Sequence, residues 1–331
     1  MKRYPAFDPP EYVDWQAEPA LVEEYAERIG SDDERAAIVA SLAEADLLRL
    51  YEGMLRNRLH DIALKRWVRG GVISKAWLGT GEEAATIGAV HALDRERDIV
   101  SPMIRNAGAC HEMGMSLESM LHGYLGTVES PSGGVDLHIG DLARGVLPPI
   151  SPVGDTIPVV AGIALSFLQR GERRVVLGWI GDGATRTAAF HEGLNLAAVQ
   201  KAPAIFVIQN NQVALGTRLE QHGAGSFREW PRMYGVAGLE ADGNNVLDVY
   251  SATRLAADRC RAGEGPVLLL VETFRMGGHA THDEREARET FAPELFARWG
   301  RRDPIGLYEA WLEEEGVPRA RLEDIEARVT E

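Results

Sequence analysis

Two apolar runs and the polar residues that end them constrain the fold of this chain most. Residues 175–177 lead to Asp182, and residues 204–208 lead to Asn211. Between the two runs, apolar residues from 190 to 198 recur at helical spacing. The segment is therefore predicted to be strand, helix and strand, with the two strands parallel and joined by a right-handed crossover.

Further apolar runs, separated by Gly- and Pro-rich turns, extend this pattern along the chain. They lie at Ile99, 159–168 and 267–271. This alternation predicts an α/β fold, a doubly wound parallel sheet with an N-terminal helical extension and C-terminal helices.

Asp182 and Asn211 are predicted to lie together beyond the carboxyl ends of their strands, where open α/β sheets bind ligands. A carboxylate and an amide oxygen suit Mg²⁺, which prefers oxygen ligands at about 2.1 Å. Nearby glycine turns and a helix N-terminus provide amide N–H groups that favour phosphate oxygens. The segment is therefore predicted to bind Mg²⁺ and a diphosphate.

The chain is predicted to divide into three parts: an N-terminal extension with a short helix (1–45), an α/β domain (46–300) and a C-terminal helical segment (301–331). Ser31 and Glu34 form an S-x-x-E pattern that predicts the cap of the first helix.

Two more helices are predicted at the joins between these parts. Apolar residues from Leu48 to Ile62 step by three and four, and Gly70-Gly71 should end that helix. Pro304 is expected to open a C-terminal helix.

Composition narrows the class of protein. The chain has 331 residues, 45% of them hydrophobic, so it can bury a large core. Its formal charge of −15 argues against a nucleic-acid partner. The longest apolar run, 159–168, is far shorter than the ~20 residues that span a bilayer. No signal peptide is visible, and Cys110 and Cys260 form no disulfide framework, so a cytoplasmic location is expected.

An ordered set of short motifs carries a family resemblance. In chain order they are Gly81-Glu82-Glu83-Ala84, Met103-Ile104-Arg105-Asn106, Ser151-Pro152-Val153-Gly154, Gly181-Asp182-Gly183-Ala184, Phe190-His191-Glu192-Gly193-Leu194-Asn195, Asn210-Asn211-Gln212-Val213, Asp242-Gly243-Asn244 and Arg275-Met276-Gly277-Gly278-His279. The set resembles the alpha subunits of thiamine-diphosphate-dependent 2-oxo acid dehydrogenases over about residues 47–311. The central domain would then have the thiamine-diphosphate-binding fold.

The resemblance implies roles for the residues around Asp182. Asp182, the Asn211 side chain and the Val213 carbonyl would be the Mg²⁺ ligands. Gly183 and Ala184 would present amides to the diphosphate of the cofactor.

The same resemblance implies further residues that bind thiamine diphosphate. Arg105 would pair with the terminal phosphate, for which its planar fork of donors is suited. Val153 would prop the thiazole against the aminopyrimidine, and Ser151 and Gln209 would line the cofactor site. His279 would act next to the cofactor as a catalytic residue.

The implied reaction is oxidative decarboxylation of a 2-oxo acid with acyl transfer to a lipoyl group. The family takes the carboxylate that activates the cofactor from a separate beta subunit, so an α2β2 heterotetramer docked on a lipoyl-bearing acyltransferase core is expected. The apolar pair Met103-Ile104 and residues 151–153 slightly favour a branched-chain substrate, and pyruvate and acetoin are the alternatives.

Several positions depart from the family pattern. Ile104 replaces a common Tyr, Arg186-Thr187 replaces smaller or acidic residues, Asp155 stands in a turn that binds a monovalent cation in some members, and Ala280 replaces a serine that animal relatives phosphorylate. The changes at Arg186-Thr187 leave a non-catalytic paralogue of the same fold as an alternative.

Two unrelated functions were weighed against this one. A nicotinamide dehydrogenase needs G-x-G-x-x-G, and the turn at Asp182 lacks the third glycine. A metal-dependent hydrolase could be built on His279, His282 and Asp283, although helical zinc ligands favour i, i+4 spacing. His138 also lies near a loop histidine of the family.

Overall fold

A parallel five-stranded sheet forms the centre of the structure, a computed structural model that describes residues 1–331. Its spatial order is β1-β2-β3-β7-β6. The strands are β1 (Ile99–Ser101), β2 (Val176–Gly181), β3 (Ala204–Asn210), β6 (Ala237–Asp242) and β7 (Val267–Glu272). The short strands β4 (Val213–Ala214) and β5 (Thr217–Arg218) pair antiparallel outside this sheet.

The predicted strand runs at residues 175–177, 204–208 and 267–271 are confirmed as the three central strands β2, β3 and β7. Their residues are almost all buried, as expected of strands covered on both faces. Strand β6 was not predicted, because it contains Gly238 and Glu240 and no β-branched residue. Its position at the edge of the sheet tolerates this composition.

Helices cover both faces of the sheet, which confirms the doubly wound prediction. One face packs against α5 (Glu83–His91), α6 (Ala107–Glu112) and α12 (Val246–Arg261). The other face packs against α8 (Thr156–Gln169) and α9 (Ala188–Gln200). Thus the apolar run 159–168 lies in a helix, and residues 190–198 form the predicted crossover helix between β2 and β3.

Helices from both ends of the chain share one core with α4. That core contains Tyr25, Tyr51, Tyr308 and Trp311. The helices are α2 (Pro19–Gly30), α3 (Asp33–Ala40), α4 (Glu44–Arg69), α15 (Pro304–Glu314) and α16 (Arg319–Thr330). Helix α1 (Pro10–Val13) instead packs through Tyr12 in a separate core with Phe274 and Phe296. The domain boundaries near 45 and 300 stay a prediction.

The helix ends show where local patterns succeeded and failed. Helix α4 ends at Gly70-Gly71 as predicted, with Gly71 in the left-handed region at φ 73°. Helix α15 begins at Pro304 as predicted. The Ser31 cap was wrong: the carboxylate of Asp32 caps α3 by accepting from the Arg35 N–H at 2.9 Å. Residues 1–45 also hold three helices rather than one.

Five more helices complete the fold. They are α7 (Leu117–Leu125), α10 (Leu219–His222), α11 (Trp230–Tyr234), α13 (Glu284–Thr290) and α14 (Pro293–Gly300). None of the helices has both the length and the apolar character needed to cross a membrane.

Candidate functional site

The carboxyl ends of β2 and β3 bring the predicted polar residues to one edge of the sheet. Gly181 at the end of β2 is in register with Gln209 near the end of β3. Asp182 and Asn211 follow these strands and are 1% and 4% exposed. Buried polar side chains at strand ends contribute little to a core, so their position suits a ligand site.

Asp182 has one direct side-chain partner, His222 at the end of α10. The His222 Nε2 lies 3.1 Å from the Asp182 Oδ2. Burial raises the pKa of Asp182, and the neighbouring imidazole offsets part of that rise. His222 was missed by sequence reasoning because it lies 40 positions away in a loop with no motif of its own.

Asn211 and Gln209 converge on the carboxylate of Glu82. The Glu82 Oε1 accepts from the Asn211 amide at 2.9 Å and from the Gln209 amide at 2.5 Å. Glu82 is fully buried, and its Oε2 has no hydrogen-bond partner. The nearest cation, the Arg105 Nη1, lies 3.6 Å from that oxygen. Glu82 appeared in the sequence only as part of a motif, without a predicted role.

Arg275 is a buried cation that faces neutral acceptors. Its guanidinium donates to the carbonyl oxygens of Leu215 at 3.0 Å and Gly277 at 3.2 Å, and weakly to that of Val213 at 3.5 Å. Burial, together with the nearby charge of Arg105, lowers the pKa of Arg275 to about 10. Arg275 is therefore still protonated at neutral pH and has no carboxylate as a salt-bridge partner.

Arg105 and His279, predicted separately from distant motifs, lie in contact. The Arg105 Nη2 donates to the His279 Nδ1 at 3.1 Å, and its Nη1 donates to the Leu78 carbonyl at 3.2 Å. Burial and the charges of Arg105 and Arg275 lower the pKa of His279 to about 4. The imidazole is thus neutral near pH 7, with Nδ1 as the acceptor.

The segment that carries His279 is held by Asp283. The two Asp283 oxygens accept from the backbone N–H groups of His279 at 3.1 Å and Ala280 at 2.8 Å. Because its carboxylate is used in this way, the geometry gives no support to a hydrolase built on His279, His282 and Asp283. No group of three or more His, Cys, Asp or Glu side chains is placed to hold a metal.

The turn after Asp182 needs a glycine. A Cβ on Gly183 would lie 2.4 Å from the Ala214 Cβ, so β4 crosses directly over this residue. A 3₁₀ turn, Ala184–Arg186, follows. The two predicted diphosphate contacts, Gly183 and Ala184, thus lie between Asp182 and the β4 strand that carries Val213.

The departure at Arg186-Thr187 has a structural explanation. The Arg186 guanidinium lies over the rings of Phe227 and Trp230, at 5.0 and 5.3 Å from their centroids. The Thr187 hydroxyl caps α9 by accepting from the Phe190 N–H at 3.4 Å. Both residues therefore serve packing and capping, and neither forms a hydrogen bond with the Asp182 carboxylate.

Ser151 and Val153 lie on an exposed loop before α8. Val153 is 60% exposed, and the Ser151 hydroxyl is 3.4 Å from the His138 Nε2. At Gly154 the loop adjoins the segment that follows Asp182, because a Cβ there would meet the Thr187 Oγ1 at 2.1 Å. The structure does not bring Ser151 or Val153 into a hydrogen bond with the buried residues, so their predicted roles are untested.

Comparison with known proteins identifies the family. The model of the dehydrogenase E1 component family matches residues 51–331. The chain is 32% identical over 301 residues to the 2-oxoisovalerate dehydrogenase subunit alpha of Bacillus subtilis, covering 88% of this chain and 90% of the relative. It is 33% identical over 287 residues to the pyruvate dehydrogenase E1 component subunit alpha of Staphylococcus aureus, covering 85% of this chain and 74% of that relative. The chain therefore belongs to the dehydrogenase E1 component family, as the alpha subunit of a 2-oxo acid dehydrogenase.

Proposed function

We propose that this alpha subunit binds the diphosphate end of thiamine diphosphate through Mg²⁺ at the carboxyl edge of the sheet. Family membership implies thiamine diphosphate as the cofactor. When bound, the cofactor supplies the nucleophilic carbon and the electron sink for decarboxylation. The protein chain has to bind it, orient it and exclude water.

The proposed metal ligands fit Mg²⁺ in their chemistry. The Asp182 Oδ2 is bonded to His222, which leaves Oδ1 for a metal. The Asn211 amide nitrogen is bonded to Glu82, which leaves its Oδ1 with a single weak contact, to the Val213 N–H at 3.3 Å. One carboxylate, one amide oxygen and one backbone carbonyl are hard ligands of the kind that Mg²⁺ combines with phosphate oxygens.

The surroundings of Arg275 are the main support for the proposal. Its side chain is buried, at 2% exposure, and donates hydrogen bonds only to neutral carbonyl oxygens. A buried cation without a counter-charge is costly unless an anion pairs with it. Arg105, which faces Glu82 and His279, extends the cationic surface. A diphosphate would neutralise both arginines, and the neutral His279 could then donate a hydrogen bond to a phosphate oxygen from its Nε2.

We further propose that a beta subunit completes the active site in an α2β2 assembly, which docks on a lipoyl-bearing acyltransferase core. A branched-chain 2-oxo acid is the favoured substrate. Met103 and Ile104, next to Arg105 in the chain, form a mostly apolar wall with Met120, Leu137 and Ile139, and an apolar wall favours aliphatic over polar substituents. A cytoplasmic location is part of the proposal, since the buried free thiols of Cys110 and Cys260 fit a reducing compartment.

Asp182→Ala tests the metal assignment. We expect it to weaken Mg²⁺-dependent binding of thiamine diphosphate by roughly 100-fold or more, since loss of an outer-shell partner alone costs about 10–100-fold. The melting temperature and assembly with the beta subunit should be retained. Isothermal titration calorimetry that shows unchanged affinity would refute the metal site.

The shared active site has a separate test. The alpha chain purified without any beta subunit should show no decarboxylation of 2-oxoisovalerate or pyruvate and no cleavage of acetoin, and activity should appear when the beta subunit is added. Turnover by rigorously beta-free protein would contradict the shared site. The order of activities in the complete assembly would decide the substrate.

A further inference from the structure

The side chains of Asp182 and Asn211 both have to be oriented so that each presents an oxygen to the proposed metal. For Asn211 the choice is absolute, because the amide nitrogen cannot be a ligand, while a free amide can rotate by half a turn. A preformed metal site therefore needs neighbours that hold the other atom. The structure provides one such neighbour for each of the two residues.

Glu82 determines the orientation of Asn211. The Glu82 Oε1 accepts hydrogen bonds from two side-chain amides, one of them the NH₂ group of Asn211 at 2.9 Å. The Asn211 oxygen is then directed to the opposite side, towards the Val213 N–H. Glu82 comes from the N-cap position of α5, on a segment far from β3 in sequence.

Gln209 and Asn106 hold the Glu82 carboxylate and the Asn211 amide in this orientation. Gln209 donates to the same Glu82 oxygen at 2.5 Å and accepts from the Asn106 amide at 3.0 Å. Asn106 in turn donates to the Thr86 hydroxyl at 2.6 Å and accepts from the Met103 N–H at 3.1 Å. Each amide has its oxygen and nitrogen assigned by the next group, so no member can turn over alone.

His222 orients the carboxylate of Asp182. Its Nδ1 is buried without a partner, so the tautomer with the proton on Nε2 gives the one hydrogen bond available, to the Asp182 Oδ2 at 3.1 Å. The Asp182 Oδ1 accepts no hydrogen bond from another side chain. A ligating carboxylate held by a second residue in this way is oriented before the metal arrives.

We infer that Glu82 and His222 are positioning residues: Glu82 turns the Oδ1 of Asn211 towards the metal, and His222 fixes the orientation in which the Asp182 carboxylate presents its other oxygen. The inference rests on the proposed metal site and adds two residues to it, neither of which touches the metal. Loss of either residue frees the ligand to adopt an unproductive orientation, and the metal affinity falls without loss of a ligand.

The test measures Mn²⁺ binding by electron paramagnetic resonance, with thiamine diphosphate present, in the alpha chain co-assembled with its beta subunit. Glu82→Leu and His222→Leu should each weaken Mn²⁺ binding by about 10–100-fold. Glu82→Gln keeps an accepting oxygen and His222→Gln keeps a donating N–H, so both should bind Mn²⁺ almost as the wild type does. This rescue separates positioning from simple packing.

Glu272→Leu is the matched control. Glu272 accepts from the amide of Asn210 at 2.7 Å at the same edge of the sheet, but Asn210 is not a proposed ligand. This variant should bind Mn²⁺ like the wild type, although it also loses a carboxylate–amide bond. Equal losses of affinity in Glu272→Leu and Glu82→Leu would overturn the inference, and so would wild-type affinity in both Leu variants at positions 82 and 222.

Asp182→Ala, measured in the same assay, separates the inference from the proposed function. If Asp182→Ala binds Mn²⁺ normally, the metal site itself is wrong. If Asp182→Ala loses binding while His222→Leu retains it, only the positioning role is wrong. Should Glu82→Leu not assemble, His222→Leu decides, because its side chain is 13% exposed on a four-residue helix and its loss spares the core.

Discussion

Two buried arginines, Arg58 and Arg275, are 0% and 2% exposed, but their surroundings are opposite. Arg58 forms salt bridges with Glu83 and, at 3.1 Å, with Asp303. Burial disfavours its charge, but the two carboxylates outweigh burial and raise the pKa of Arg58 well above its usual value. Arg275 has only carbonyl acceptors, and its pKa is lowered.

The comparison separates an arginine that stabilises the fold from an arginine that is expected to bind an anionic ligand. The cluster around Arg58 has its counter-charges within the chain and ties the C-terminal helices to the sheet domain through Asp303. The site around Arg275 and Arg105 has cations in excess of the carboxylates they contact. Such an imbalance costs free energy in the unliganded protein, and the binding of an anion would relieve it.

The largest expected effect is on stability, from Arg58→Met. It leaves Glu83 buried without its cation and removes one of the two arginines that pair with Asp303, the other being Arg3, so we expect a loss of about 3–5 kcal/mol in the free energy of unfolding. Arg275→Met is the matched variant and should cost less, because no carboxylate loses its partner. Denaturant titration of both proteins measures the two losses. A larger loss in Arg275→Met would mean that the two regions do not differ as proposed.

The second expected effect is stabilisation by inorganic diphosphate with Mg²⁺. A ligand that binds only the folded state at 100 times its dissociation constant stabilises it by about 2.7 kcal/mol. The wild type and Glu272→Leu should therefore melt at a higher temperature with diphosphate, whereas Arg105→Met should show little change. Differential scanning calorimetry measures the shift. An undiminished shift in Arg105→Met would place the anion elsewhere.

The third expected effect concerns two histidines with the same lowered pKa. Burial alone lowers the pKa of His60 to about 4, whereas Arg105 and Arg275 add to burial in lowering that of His279 to about 4. Diphosphate neutralises the arginines, so the pKa of His279 should rise by about one unit while that of His60 stays unchanged. NMR titration of the imidazole signals measures both, and an equal response of the two would contradict this origin.

The same shifts predict how stability depends on pH. The folded-state pKa of each histidine lies below the value of about 6.5 expected in the unfolded chain, so the unfolded chain takes up protons first as pH falls. Stability should therefore decrease from about pH 6.5 towards pH 4. With diphosphate bound, the part of this decrease that comes from His279 should shrink.

The smallest expected effect is local, in residues 277–288. The glycines at 277 and 278 should let this segment exchange amide hydrogens faster than β3 does in cofactor-free protein, and thiamine diphosphate with Mg²⁺ should slow the exchange. His279→Ala should impair turnover far more than it lowers the melting temperature. Exchange that is slow without cofactor, or a fully active variant that melts earlier, would assign His279 to the fold instead.

Much of the fold could be predicted because its signals are local. The central strands are continuous apolar runs, and the end of α4 follows from the conformational freedom of Gly71. The cap of α3 was misplaced by one residue because Ser31 and Asp32 are both good caps and only the backbone geometry decides between them. Strand β6 contains no apolar run, so its sequence does not predict a strand.

The site could be predicted only where motifs carry its residues. Asp182, Asn211, Arg105 and His279 stand in short motifs, and the structure gathers them at one edge of the sheet. His222 has no such motif. The role of Glu82 depends on partners 127 and 129 positions away, which no local pattern reveals.

Glu82 and Glu83 are adjacent in the chain but belong to the two different regions. Glu83 pairs with Arg58, whereas Glu82 holds the amides of Gln209 and Asn211. Gly81 precedes them at φ 95°, where a Cβ would lie 2.7 Å from the Met276 side chain. For protein engineering, this tripeptide is therefore a fixed point. A mutant library can vary other residues around the proposed cofactor site. A one-residue insertion or deletion in this tripeptide, however, would exchange the positions of the two carboxylates, so that Glu83 would face the site and Glu82 would face Arg58.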